Sequence, residues 1–245
     1  MFLNSFYSID GDSLLISGPQ GSRFAKLICD DFNPIHNADK KHFCVPGDLL
    51  FSIVLQRYGL SEQMNFRFTE MLPSNLPLSF PENVGTIFQI VDSSERSYLH
   101  VQRQGNCTTR ENCIESLIRS YVSFSGQNFP NILTPLMAKN NVMINPRRPF
   151  VIYESMSLSM RNLEFNDLDV QLVDATLTVN GKRGEVLLSF QFLTDHGVAG
   201  TGTKKLILAG LRKYQQAAVD EMVATYDSYK RLFSEREGLS LSPHI

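Results

Sequence analysis

The segment from Pro46 to Tyr58 constrains the fold of this chain more than any other stretch of its sequence. It predicts a helix, because Pro46 suits a first turn and Gly59 suits the residue just past a helix end. Its apolar side chains are spread around most of the helix circumference: Leu49, Leu50, Phe51, Ile53, Val54 and Leu55. A helix that is apolar nearly all round belongs inside a protein. The rest of the chain must therefore build a cover around it.

Other segments of the chain have the patterns of strands and helices that supply this cover. Short apolar or alternating segments predict strands at residues 12–17, 65–70, 86–92, 97–104, 151–160, 170–179, 185–193 and 198–208. Apolar residues spaced three and four apart predict helices at residues 19–29, 111–122 and 211–233. Residues 126–149 predict a connection with at most a short helix near residues 133–139. We expect an α+β protein with an antiparallel sheet wrapped round a buried helix and a C-terminal amphipathic helix.

Composition excludes several classes of protein and partner. Of the 245 residues, 42% are hydrophobic and 20% are charged, which is typical of globular proteins. The net charge of −2 lacks the positive field that nucleic-acid binding needs, so we expect no nucleic-acid partner. The first residues do not resemble a signal peptide, and no stretch approaches about 18 apolar residues. We therefore expect a cytoplasmic protein without a membrane span.

The four cysteines give no sign of a metal centre. Cys29, Cys44, Cys107 and Cys113 form no Cys-x-x-Cys pair, and their flanks lack the Cys and His spacing of a zinc site. Free cysteine usually behaves as a small buried apolar residue. We expect free thiols, mostly buried, and no metal site.

The order of a helix followed by strands occurs twice along the chain, which suggests a weak internal repeat. In this interpretation residues 1–108 form one half and residues 109–245 form a degenerate second half that ends in the C-terminal helix. The alternative is a single unit into which residues 61–145 are inserted. A chain of 245 residues is long enough for either. A fused pair would be a monomer, and a homodimer is the other arrangement that the sequence leaves open.

The segment Asp31-Phe-Asn-Pro-Ile-His36 has the clearest chemical pattern in the sequence. It places a carboxylate and an imidazole five residues apart on an Asn-Pro turn directly after a helix, where both side chains can reach one small volume. Such a pair can activate water, because His exchanges protons near neutral pH and Asp supplies the complementary acid or base. The alternative is purely structural, since Asp31 and Asn33 also form Asx turns and end helices.

Val45-Pro-Gly-Asp48 begins the predicted buried helix about ten residues further on. The first N–H groups of a helix have no partner within it, and Gly47 allows a ligand to approach them closely. This arrangement is suited to stabilising a developing oxyanion. The negative charge of Asp48 interacts favourably with the helix dipole, but the same charge would repel a developing enolate.

The segment Arg23-Phe-Ala-Lys-Leu-Ile-Cys-Asp-Asp-Phe-Asn-Pro-Ile-His36 resembles the MaoC-like, (R)-specific enoyl-CoA hydratases of the hot-dog superfamily. The similar part is a helix followed by the family's (Gly)-Asp-x-Asn-Pro-(Leu/Ile/Val)-His signature. Specific similarity covers about 40 residues, and similarity at the level of the fold could cover most of the chain. The resemblance implies a hot-dog fold, and the length of the chain then favours a double hot dog.

The resemblance also implies roles for individual residues. Asp31 and His36 would activate the water that adds to the double bond of an acyl thioester, and Asn33 would brace their loop. Gly47 would donate its N–H to the thioester carbonyl. The thioester, on CoA or on an acyl carrier protein, would be the substrate, and no cofactor is implied.

Two departures from the family leave the activity open. Pro46 stands where the family has His, and the connection formed by residues 37–44 is shorter than in the family. The first interpretation is therefore a protein that binds acyl thioesters and hydrates 2-enoyl groups or dehydrates (R)-3-hydroxyacyl groups. The alternative is a hot-dog binding or interaction module that has lost this activity.

Three pairs of basic residues allow two interpretations: Arg147-Arg148, Lys204-Lys205 and Arg212-Lys213. They can meet the phosphates of CoA or the acidic surface of a carrier protein. A solvent-exposed face is the favoured interpretation, because charged side chains are mostly exposed.

Overall fold

The computed structural model describes residues 2–238 of the chain. Its α-helices are α1 Gly18–Leu27, α2 Gly47–Tyr58, α3 Glu111–Gly126, α4 Thr134–Lys139 and α5 Gln216–Glu237. The strands before α3 are β1 Ser8–Asp10, β2 Ser13–Leu15, β3 Leu60–Phe68, β4 Leu78–Ser79, β5 Ile87–Asp92 and β6 Ser97–Thr108. The later strands are β7 Val142–Met143, β8 Val151–Met160, β9 Asp169–Asn180, β10 Arg183–Thr194, β11 Gly197–Ala209 and β12 Arg212–Lys213.

Ten of these strands form one antiparallel sheet in the order β1-β2-β4-β5-β6-β3-β8-β11-β10-β9. The strands that precede α3 meet those that follow it where β3 pairs with β8, with Met64 opposite Leu158. The boundary predicted between residues 108 and 109 lies between β6 and α3. The division into two halves stays a prediction, because one continuous sheet serves both parts of the chain.

Helix α2 lies inside this sheet, as its apolar circumference requires. Every residue from Asp48 to Leu55 is buried. Helix α3 packs beside it, and the rings of Phe51 and Tyr121 are 5.0 Å apart between centroids. The structure is therefore α+β with an antiparallel sheet wrapped round a buried helix, which confirms the predicted hot-dog architecture. No helix within residues 2–238 is both long and apolar enough to cross a membrane.

The C-terminal helix begins at Gln216 and not at the predicted Leu211. The reason is a contact distant in sequence, since Arg212 and Lys213 pair as strand β12 with Met143 and Val142. A backbone that forms a ladder with β7 cannot also form the first turn of a helix. The connection predicted at residues 126–149 contains α4 and a π-helical turn, Phe129–Leu133.

Helix α5 holds the segment between α1 and α2 in place. The hydroxyl of Tyr226, on α5, donates to the carbonyl oxygens of Asp30 at 2.9 Å and Gly126 at 3.3 Å. Lys230 forms an ion pair with the Asp30 carboxylate at 2.6 Å. The ring of Phe32 packs edge-on against Tyr226, with centroids 5.9 Å apart. The loop that begins at Asp30 is therefore held against α5 by three contacts.

Substitution of Gly126 by Ala should destabilise the protein strongly. A Cβ at Gly126 would lie 1.9 Å from the carbonyl oxygen of Cys29, so α3 and the end of α1 would have to separate. We expect the free energy of unfolding to fall by about 1–3 kcal/mol or more, as for overpacked cores. Gly85→Ala is the matched control, because a Cβ at Gly85 meets nothing within 4 Å. Chemical denaturation of both variants checks this, and equal stability would contradict the close packing.

Candidate functional site

The loop that follows α1 is folded by its own polar side chains. The Asp31 carboxylate accepts a hydrogen bond from the Asn33 N–H at 2.8 Å, and the Asn33 side-chain oxygen accepts one from the Ile35 N–H at 3.1 Å. These are two successive Asx turns, which lead into a 3₁₀ turn at Pro34–His36. The Asn33 backbone and side chain therefore stabilise the conformation of this loop. The local turns also account for the short path from Asp31 to His36.

Asp31 and His36 come together at this loop. His36 donates from Nδ1 to the carbonyl oxygen of Cys44 at 2.7 Å, since a carbonyl oxygen can only accept. This leaves His36 Nε2 to exchange protons, and it lies 3.6 Å from Asp31 Oδ2. The two side chains are 14% and 20% exposed, so solvent reaches both. A water molecule beside them can donate a hydrogen bond to each atom.

The pair lines a cavity of about 430 Å³ that also reaches the start of α2. All four residues predicted for the site line this cavity: Asp31, Asn33, His36 and Gly47. Apolar side chains form much of the remaining wall, among them Leu50, Phe68 and Leu72. Ligand sites are commonly mostly apolar, with a few well-placed polar groups. This inner cavity is the candidate functional site.

Gly47 is the first residue of α2 and lies against two aromatic rings. A Cβ at this position would be 3.1 Å from the ring of Phe68 and 3.2 Å from that of Tyr153. The rings themselves are 4.4 Å apart between centroids. Glycine therefore fits at this position, where the two rings leave little space for a side chain. It begins the helical turn whose first N–H groups have no partner within the helix.

A buried series of hydrogen-bonded polar side chains in the same cavity was not predicted from the sequence. Lys204 donates to the hydroxyl of Ser125, which in turn donates to Asp48 Oδ2 at 2.5 Å. The Lys204 ammonium also lies 4.2 Å from the centroid of the Tyr153 ring. The three polar residues come from β11, α3 and α2. The expectation that Lys204 shares an exposed face with Lys205 is wrong, because Lys204 is buried and Lys205 forms ion pairs with Glu154 and Glu185.

A signal for Lys204 was present in the alternation of β11. Lys204 lies two residues before Leu206 and four before Leu208, and both leucines are buried on the inner face of the sheet. Side chains two residues apart in a strand point to the same face. A lysine on the inner face must be compensated by a nearby carboxylate, but the sequence does not tell which one.

Burial sets the proton affinities of these groups. Desolvation raises the pKa of Asp31, and the nearby His36 and the Asn33 N–H oppose that rise. Desolvation likewise raises the pKa of Asp48, against the attraction of Lys204 and the hydrogen bond from Ser125. Burial lowers the pKa of Lys204, although both carboxylates counteract it. The cavity thus favours proton exchange by carboxyl groups at a higher pH than exposed carboxyl groups would allow.

The cysteines near the cavity are not activated. Cys29 is fully enclosed and burial raises the pKa of its thiol well above the ordinary value. Burial also raises the pKa of Cys44 to about 11. Nucleophilic cysteines have lowered values, so neither thiol is set up for attack. Within residues 2–238 no group of three or more His, Cys, Asp and Glu side chains is placed to hold a metal ion.

A second, outer cavity of about 820 Å³ adjoins the inner one. The two cavities share Asn33, Ile35, Phe129 and Val151 as walls. Three exposed cations line the outer cavity, with one carboxylate: Arg147, Arg212, Lys213 and Glu221. The surface beside the inner cavity is therefore positively charged overall, although the whole chain has a net charge of −2.

Three solved structures show limited similarity to this chain. A tesB protein from Mycobacterium avium subs paratuberculosis is 9% identical, with 68% of this chain and 88% of that chain covered and a TM-score of 0.45. The acyl-CoA thioesterase II TesB2 from Mycobacterium marinum is 7% identical, with 88% and 100% covered and a TM-score of 0.43. A conserved protein of unknown function with hot dog fold from Alicyclobacillus acidocaldarius is 8% identical, with 85% and 98% covered and a TM-score of 0.46.

Identities this low assign no activity to the chain, and no curated protein matches it significantly. One family model does match, over residues 1–217, and its description reads "Protein of unknown function (DUF3581)". The matched range includes both cavities apart from the part of α5 beyond residue 217, and every residue predicted for the site. Because the match spans most of the sequence, the chain belongs to this DUF3581 family.

Proposed function

We propose that this protein binds an acyl thioester in the inner cavity and hydrates its 2-enoyl group, or dehydrates an (R)-3-hydroxyacyl group in reverse. The observation that carries the proposal is the approach of His36 Nε2 to within 3.6 Å of Asp31 Oδ2 in a cavity that reaches Gly47. The same two residues are those that the MaoC-like signature assigns to water activation. Local geometry and the resemblance thus support one chemistry.

Hydration adds the oxygen of water to C3 of the enoyl group and a hydrogen to C2. His36 Nε2 accepts a proton from the water as its oxygen bonds to C3, while the Asp31 carboxylate orients the water. Electrons of the double bond move towards the thioester carbonyl, whose oxygen becomes an enolate. A proton then returns from the Asp31 and His36 pair to C2, which completes the addition. Dehydration runs through the same steps in reverse.

The start of α2 is suited to the enolate oxygen. The N–H of Gly47 would donate to the thioester carbonyl oxygen, where negative charge develops. Asp48 would oppose that charge, but its carboxylate is hydrogen-bonded to Ser125, to which Lys204 donates. The Lys204 ammonium therefore offsets Asp48 within the cavity. This compensation reconciles an acidic residue next to Gly47 with an oxyanion site.

The outer cavity is suited to the phosphorylated arm of a thioester. CoA and acyl carrier proteins both present their acyl groups on a phosphate-bearing arm, and Arg147, Arg212 and Lys213 offer cations to such a phosphate. The shared walls let one ligand occupy both cavities. This supports an acyl thioester as the small-molecule partner, on either type of carrier.

The test measures the hydration of crotonyl-CoA by the wild type and by the Asp31→Asn and His36→Ala variants. The reaction is monitored as the loss of the enoyl-thioester absorbance. We expect each substitution to lower kcat/KM about 100-fold or more, the usual worth of a general acid or base. Asp39→Asn is the matched control, because Asp39 is exposed and lines neither cavity. Asp39→Asn should retain most of the activity.

Three other outcomes would contradict this proposal in different ways. Release of free thiol from crotonyl-CoA would show hydrolysis in place of hydration. Binding without turnover would favour a module that has lost catalysis, the alternative that Pro46 and the short connection support. No turnover together with no thermal shift from any acyl-CoA would reject acyl-thioester binding altogether.

The pH dependence of the reaction should reflect the raised pKa of Asp31. Asp31 acts as a carboxylate, so kcat/KM should fall as the pH drops through its pKa, which lies above the ordinary value of 3.8 because of burial. Asp48→Asn removes a negative charge that raises the pKa of Asp31, so it should move this acid limb to lower pH. Rate profiles of both proteins check the direction, and a shift to higher pH in the variant would contradict the assignment.

A further inference from the structure

The peptide group between Asp30 and Asp31 is held at both of its polar atoms. The Asp31 N–H donates to the carbonyl oxygen of Ala25, on α1, at 2.8 Å. The Asp30 carbonyl oxygen accepts from the hydroxyl of Tyr226, on α5, at 2.9 Å. Because a peptide group is planar, fixing these two atoms fixes its plane. That plane leads directly into Asp31, so it sets the direction in which the Asp31 side chain leaves the backbone.

The backbone of Asp30 has a conformation that needs such support. Its φ is +54°, in the left-handed region that residues other than glycine adopt uncommonly. Backbone of this kind persists where the surrounding structure holds it in place. Lys230, one turn after Tyr226 on α5, forms an ion pair with the Asp30 carboxylate at 2.6 Å. Helix α5 therefore holds both the main chain and the side chain of Asp30.

Tyr226 is itself fixed by its surroundings. It is 3% exposed, and its ring lies 5.9 Å between centroids from the ring of Phe32 and 5.9 Å from that of Phe129. The hydroxyl also reaches the carbonyl oxygen of Gly126, at the end of α3, at 3.3 Å. Burial raises the pKa of Tyr226, so the hydroxyl keeps its proton and remains a donor at neutral pH.

A short path connects this hydrogen bond to the proposed chemistry. Asp31 Oδ1 accepts from the Asn33 N–H at 2.8 Å, and Asp31 Oδ2 lies 3.6 Å from His36 Nε2. The imidazole has a separate anchor, since His36 Nδ1 donates to the carbonyl oxygen of Cys44 at 2.7 Å. A rotation of the peptide group before Asp31 would therefore move the carboxylate relative to the imidazole. A misplacement of about 1 Å in a catalytic arrangement can cost about 100-fold in rate.

We propose that Tyr226 is a positioning residue of the hydration reaction, because its hydroxyl fixes the peptide group from which the Asp31 carboxylate projects towards His36 and the water. Tyr226 acts through Asp31 and transfers no proton itself. Gly47 and the apolar walls of the inner cavity make no use of this hydroxyl, so its loss should impair turnover and not binding. This inference rests on the proposed function, because it presumes that Asp31 and His36 activate water.

The test measures kcat and KM for the hydration of crotonyl-CoA by the wild type and by the Tyr226→Phe and Tyr214→Phe variants. Tyr226→Phe keeps the ring and removes the hydroxyl, so we expect kcat to fall about tenfold or more while KM stays within about twofold. Tyr214→Phe is the matched control, because the Tyr214 hydroxyl donates to Gln216 at an exposed position and Tyr214 lines neither cavity. Tyr214→Phe should keep the kcat of the wild type.

Val219→Ala separates positioning from a general loss of stability in α5. Val219 is 3% exposed and packs in the core cluster that includes Leu133 and Met143, away from the contacts of Asp30. Its truncation should lower the Tm and leave kcat unchanged, when all assays are run well below the lowest Tm. An equal loss of kcat in Val219→Ala and Tyr226→Phe would overturn the inference.

Lys230→Met is the second variant on the same path, and it decides the matter if Tyr226→Phe does not fold. It frees the Asp30 carboxylate from α5, so kcat should fall in the same direction with KM unchanged; an unchanged kcat would then overturn the inference. In a folded Tyr226→Phe, an unchanged kcat, or a KM that rises as much as kcat falls, would overturn the inference and leave the proposed function in place. No turnover by the wild type would reject the proposed function and this inference together.

Discussion

Burial of α2 is the constraint on which the rest of the structure depends. Each large apolar side chain that leaves water stabilises the folded state by about 1.5–3 kcal/mol, and α2 carries such side chains on nearly every face. They share one core with helix α3 and with strands that precede and follow it in the chain. The sides of α2 are therefore sealed, and its first turn, with Gly47 and Asp48, is the part that reaches a cavity.

The position of Asp48 has a further consequence for the fold. A buried carboxylate is costly unless it is paired and hydrogen-bonded, and here Ser125 and Lys204 supply both from α3 and β11. The start of α2 is thereby tied to the end of α3 and the middle of the sheet. Helix α5 adds a second link, since Tyr226 bonds to Asp30 and Gly126. The same contacts therefore stabilise the fold and position the residues of the site.

Local patterns explain what was predictable about the site. The path from Asp31 to His36 is short and is folded by Asx turns of its own side chains, so their convergence could be expected from spacing alone. Strand β8 was predicted at residues 151–160 and has those bounds, and its second half alternates between the buried Met156, Leu158 and Met160 and less buried serines. The start of α5 was predicted wrongly, since the pairing of β12 with β7 joins segments about seventy residues apart.

The sequence by itself determined the buried helix, the alternation of the strands and the carboxylate and imidazole pair after α1. Each of these is set by residues within a few positions of one another. Only the tertiary structure decided that Ser125 and Lys204 meet Asp48 in the same cavity, and that Arg147 and the cations of β12 line its neighbour. Periodicity shows which face of an element is buried, but it does not show which distant face packs against it. That choice depends on how the whole sheet closes around α2.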